Sequence, residues 1–195
     1  MQALQKIAIK LHARAGTEFA PAELIPLLHG WIQKRSVEGT LIDVADYSHV
    51  PDGPGLMLIA HEGVYSFEAG SGAPGLVYSN RRGLEDGDLG SRVKSSMRLA
   101  LAACEQYGQD AEASDGGVFP GSSWELIAND RLLAPATDLT YDELEPVVTK
   151  VCEELYGETK FRFARLGGGR ERATLRVDVD EPFSPSQLLE RLAQS

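Results

Sequence analysis

The stretch Leu41–Arg82 limits the fold more than any other part of the chain. It reads LIDVADYSHV, PDGPG, LMLIAHEGVYSFE, AGSGAPG and LVYSNRR. Three β-like runs are separated by two Gly/Pro turns, the pattern of an antiparallel meander. Side chains in a strand alternate between faces, so the turn decides which residues oppose each other. A first hairpin centred on Pro51–Pro54 places Asp43 opposite His61 or Glu62. A second centred near Gly72 brings Arg81 or Arg82 to the same pair.

Asp43, His61, Glu62, Arg81 and Arg82 are therefore the candidate site. Asp is depleted in strands, and polar residues inside an apolar run need partners or water. A histidine oriented by a carboxylate can serve as a general base, which makes His61, Glu62 and Asp43 catalytic candidates. Arginines hold anions, which makes Arg81 and Arg82 ligand-binding candidates. The plainer reading is a cross-strand charge ladder on an exposed sheet. The spacing Asp43, Asp46, His49 suggests a metal, but six strand residues span roughly 20 Å at about 3.3 Å each. Asp43 and His49 then cannot share one ion, and no metal or other cofactor is expected.

The rest of the chain supplies strands and helices around this meander. Ile7, Ile9 and Leu11 alternate with Lys10 and His12, a first strand. Leu24, Leu27, Leu28, Trp31 and Ile32 repeat at helical spacing, with Pro21 in the first turn and Pro26 expected to kink the helix or delay its start. Asp86 or Asp88 can cap a second helix whose stripe is Leu89, Val93, Met97, Ala100, Cys104 and Tyr107, stopping at Gly108. Gly108–Ser123 reads as a connecting loop, and Trp124–Pro135 as a strand or a tight hairpin around Asn129-Asp130. Thr140-x-x-Glu143 is a capping box for a third helix ending at Gly157. A short hairpin turns at Gly167–Gly169, and Ser184-x-x-Gln187 opens a last helix.

Two halves correspond at an offset of 120 positions (143 − 23). Glu23-Leu24-Ile25-Pro26-Leu27-Leu28 overlays Glu143-Leu144-Glu145-Pro146-Val147-Val148. Leu41–Ala45 then overlays Phe161–Arg165. The expected architecture is α+β: a mostly antiparallel sheet with about four helices, and a pseudo-duplicated strand–helix–strand–strand unit. Residues 1–107 form the meander-bearing first half, 108–123 the connection and 124–195 the second half, packed together as one domain.

Two phrases, DVADYSHVPDGPGLMLIAHEGVY from Asp43 and NDRLLAP at Asn129–Pro135, resemble a widespread bacterial family of uncharacterised soluble cytoplasmic proteins. The resemblance implies a similar layout across most of the chain and carries no activity with it. The phrase continues as Ala136-Thr137 here, where the family pattern has Asn-Thr.

Composition narrows the partners. Of 195 residues, 43% are hydrophobic and 25% charged, with a net charge of −10. That sign repels phosphate backbones and anionic lipid, so neither nucleic acid nor a membrane is an expected partner. A small anionic ligand, a protein partner or a second copy of the chain remain. Without a cleavable leader pattern or a long apolar run, the cytoplasm is the expected location. Cys104 and Cys152 fall on apolar helix faces and read as buried thiols. No phosphate-cradling loop, nucleophile elbow or zinc motif occurs. The sequence favours a non-catalytic binding or structural protein. The alternative is an enzyme using the meander cluster on a small anionic substrate.

Overall fold

A computed structural model describes residues 3–69, 73–81, 87–111 and 117–194. The elements are β1 (Ile7–His12), α1 (Pro21–Lys34), β2 (Leu41–Tyr47), β3 (Gly55–Ala60), β4 (Gly63–Glu68), β5 (Gly75–Asn80), α2 (Leu89–Asp110), β6 (Ser123–Ala128), α3 (Asp138–Tyr156), β7 (Phe161–Leu166), β8 (Thr174–Val179) and α4 (Pro185–Gln194). The strands form one 8-stranded sheet in the order β2-β3-β4-β5-β1-β6-β8-β7. Every pairing is antiparallel. The class is α+β, as the alternation of β-period and helix-period segments requires.

Strand alternation sorts the sheet into two unlike faces. Ile7, Ile9 and Leu11 of β1 join Leu56, Leu58, Phe67, Leu126, Leu175 and Val177 in the main core. All four helices bury their apolar stripes against it, through residues such as Leu28, Met97, Val148 and Leu188. The opposite face carries no helix among the described residues. Its own apolar cluster is small: Ala8, Val77 and Ile127 on three adjacent strands. Both cysteines are buried under the helices. Burial pushes the Cys152 thiol up to about 12, and that of Cys104 well above its ordinary value.

Several local signals act as their chemistry dictates. Asp88 caps α2 by accepting from the Ser91 N–H at 2.8 Å. Ser184 and Gln187 bond reciprocally at the start of α4. Gly157 ends α3 with φ of 62°. Other readings are corrected. The run Leu56–Glu68 is two strands, because His61 and Glu62 turn the chain between β3 and β4. Gly63 permits that turn: a Cβ there would lie 2.6 Å from the Tyr78 hydroxyl. The meander thus has four strands. No hairpin forms at Asn129-Asp130; the Asp130 carboxylate accepts from the Leu132 and Leu133 N–H groups instead. Helix α3 begins at Asp138, so Thr140 lies inside its first turn and is not the cap. Helix α2 runs past Gly108 to Asp110.

The six-residue match falls on α1 and α3, each with a proline inside the helix. Sheet position gives a second correspondence. The hairpin beside β1 is β4–β5, followed by α2. The hairpin beside β6 is β7–β8, followed by α4. In that frame β2–β3 is the additional hairpin, whereas the sequence offset matches β2 with β7.

Candidate functional site: the open face of the sheet

The five residues singled out from the sequence are dispersed or lie at the sheet's rim. The β2–β3 hairpin pairs Tyr47 with Gly55, so its turn is centred earlier than Pro51–Pro54 and Asp43 pairs with Ile59, not with His61 or Glu62; a bulge follows between Leu41 and Asp43. The exposed Asp43 carboxylate accepts from the Val44 N–H. Glu62 is engaged by Thr40, whose N–H and hydroxyl donate to it at 2.8 and 2.9 Å. Those bonds, the backbone one first, hold its carboxyl below the usual range. His61 is exposed in the same turn. Arg81 does come beside Glu62, through a backbone bond of 2.9 Å. Arg82 lies outside the described residues.

Charged groups gather instead on the face that the helices leave open. Lys10 and His12 of β1 point there, and both are buried, at 9% and 5% exposure. Lys10 pairs with Glu68 of β4 at 2.9 Å. To do so it crosses β5 over Gly75, where a Cβ would stand 3.1 Å from Lys10 Cε and 2.6 Å from the Leu11 carbonyl. A glycine is needed chiefly because the Leu11 carbonyl stands where a Cβ would go, and the lysine stem crowds the same space.

His12 bridges to β6. Its Nδ1 lies 2.8 Å from Ser123 Oγ, and its Nε2 lies 3.1 Å from Glu125 Oε1. Ser123 in turn donates to Asp178 of β8 at 2.7 Å, and Arg176 Nε donates to the same carboxylate at 3.0 Å. Because Ser123 gives its hydrogen to Asp178, its Oγ must accept from Nδ1. A ring carrying hydrogen on both nitrogens satisfies all three contacts. Burial would raise the Glu125 carboxyl, but the His12 hydrogen bond and the charges of His12, Lys10 and Arg176 outweigh it and hold it below the usual range. The serine is oriented away from the imidazole as a proton acceptor. The arrangement therefore lacks the hydroxyl-to-histidine bond that activates a nucleophile.

Two cavities open on this face. One of about 460 Å³ lies over β3, β4, β5 and β1, lined by Lys10, Ser66, Glu68, Ser79 and Met57. Its walls also include Asp52–Pro54 from the β2–β3 turn and Arg172 from the β7–β8 hairpin. Those turns sit at diagonally opposite corners of the sheet, so the sheet curls to bring both towards one hollow, as strand twist favours. The second cavity, about 600 Å³, lies beyond Arg172 towards the β7–β8 hairpin. Among the described residues, no group of three His, Cys, Asp or Glu side chains is placed to hold a metal ion. No helix there is long and apolar enough to cross a membrane.

Sequence reasoning read Lys10 and His12 only as the outward side of a strand. The available signal was that β1, β6 and β8 each alternate apolar residues with charged or hydroxyl ones. No family model, curated protein or solved structure matches the chain.

Proposed function

We propose that the chain is a non-catalytic binding protein acting in the cytoplasm, and that the open sheet face receives its ligand. The observation that supports this is the burial of Lys10 and His12, beside the half-buried Glu125, on the face that no described helix covers, where Lys10 lines one cavity and Glu125 the other. Desolvating charged groups is costly, and a core needs only apolar groups to be stable. Opposite charges presented together in a hollow suit a polar ligand. Catalysis by Asp43, His61 and Glu62 is the alternative. Binding is favoured because Asp43 stands opposite Ile59 and the Glu62 carboxylate is already engaged by Thr40.

The test is a thermal-shift panel of small anionic metabolites against wild type and a Lys10→Met/Glu125→Gln variant. A compound that raises the wild-type Tm, fails on the variant, and is recovered chemically unchanged supports the reading. Turnover of that compound, or a panel in which every hit stabilises both proteins equally, refutes it.

A further inference from the structure

The chain carries a net charge of −10, and several of its cations are matched by acids. Lys94 pairs with Glu154, Arg98 with Glu38, Arg162 with Asp180 and Arg176 with Asp178. Arg165 is held by Asp138, Asp142 and Glu145 together. One corner instead gathers three arginines around a single cavity. Arg131, Arg170 and Arg172 border the cavity of about 600 Å³ at the β7–β8 hairpin. Among the described residues, none of these three guanidinium groups has a carboxylate partner.

Their bonds go to neutral acceptors. Arg131 donates to the Arg170 carbonyl at 2.6 Å, and Arg172 donates to the Asn129 side-chain oxygen at 2.8 Å. Such bonds fix direction without cancelling charge. They also tie the turn after β6 to the hairpin, as does the bridge between Pro135 and Arg172. Two acids share the cavity, Glu125 and Glu171. Glu125 is occupied by His12 at 3.1 Å, and Glu171 is exposed on the hairpin. Three cations thus face two carboxylates, one of which is already compensated.

We propose that this corner binds a compact multivalent oxyanion of the phosphoryl or polycarboxylate class. Planar guanidinium forks match both groups with paired hydrogen bonds. The volume lies within the range of small-ligand sites. Thr174 offers a hydroxyl at the cavity wall, and Leu166 an apolar edge for an organic portion. Arg172 also lines the neighbouring cavity, so one ligand can reach towards Lys10. The inference rests on the reading of the open face as the binding face, and names the chemistry at one end of it.

Isothermal titration with inorganic pyrophosphate and with citrate, at low ionic strength, tests the proposal. Wild type is expected to bind at least one probe saturably, near one per chain, at roughly millimolar or lower Kd. Arg170→Ala/Arg172→Ala should weaken that binding at least about tenfold, a loss of ~1.4 kcal/mol. Arg162→Ala, outside the cavity, should leave it unchanged. If the double variant fails to fold, Arg170→Ala alone serves, since no described residue bonds its side chain. Preference for pyrophosphate assigns the phosphoryl class and preference for citrate the polycarboxylate class. Saturable binding of neither probe, or equal binding by wild type and the arginine variant, overturns the proposal. Lys10→Met, a change outside this cavity, should retain pyrophosphate or citrate binding while weakening the metabolite-panel hits, so the two readings fail separately.

Discussion

On one side of β1, Ile7, Ile9 and Leu11 press into a core roofed by four helices. On the other side, Ala8, Lys10 and His12 are also buried, but under charged side chains from β4, β6 and β8 rather than under a helix. The first burial is of the kind that drives folding, apolar surface removed from water. The second must satisfy each polar group individually, because an unpaired buried charge is costly. A residue's exposure therefore says little about its role here. Ile9 and Lys10 are adjacent and both buried, yet they answer to different constraints.

Substitution should separate the two sides. Ile9→Ala removes buried methyl groups from the roofed side and is expected to cost about 2–5 kcal/mol, measured by urea denaturation. Lys10→Met keeps the length of the side chain and removes only the charge. Its partner Glu68 retains 28% exposure, so the loss should stay below about 1 kcal/mol. Equal losses at the two positions would abolish the distinction.

Acid should sharpen it. The folded Glu125 carboxyl is held below its unfolded value, so the contribution is present above the unfolded value, near 4.3. It is lost as pH falls through the folded value. Urea melts at pH 6, 4 and 3 should therefore show a steeper decline for wild type than for Glu125→Gln. Parallel declines would mean that the buried side contributes nothing specific to acid stability. The smallest effect is expected at the meander rim. His61→Ala should change stability by no more than about 0.5 kcal/mol, because the ring is exposed in a turn. A larger loss would show an unrecognised tertiary role for that turn.

The helix-facing side was the legible one. Periodic leucines, the Asp88 cap and the Ser184–Gln187 box reveal their elements because each depends on residues a few positions apart. The His61-Glu62 turn was obscured by apolar residues on both sides, which read as one long strand. The open-face network was hidden for a different reason: Lys10, Glu68, Ser123 and Asp178 come from four distant strands. Their meeting depends on sheet order, which local spacing does not encode. Register also failed locally at β2, where the turn pairs Tyr47 with Gly55, is centred earlier than Pro51–Pro54, and so sets Asp43 opposite Ile59. The relation of the two halves can be decided by backbone superposition. If they are copies in the sequence register, β2 and β3 should overlay β7 and β8. If β4 and β5 overlay them better, the six-residue helix match does not extend to the strands.

The central place of β1 also has a consequence for synthesis. Ile9 pairs with Tyr78, 69 residues later (78 − 9), and with Leu126, 117 residues later (126 − 9). One edge of β1 can be paired once β5 has emerged, while the other must wait for β6. Ala128 follows Asn80 by 48 residues (128 − 80), roughly 2–10 s of translation. A ribosome-bound chain arrested before β6 emerges should be cut by protease near β1, and protection there would show that another segment covers the edge. During those seconds the strand destined for the middle of the sheet is an unpaired edge, open to pairing with a neighbouring nascent chain.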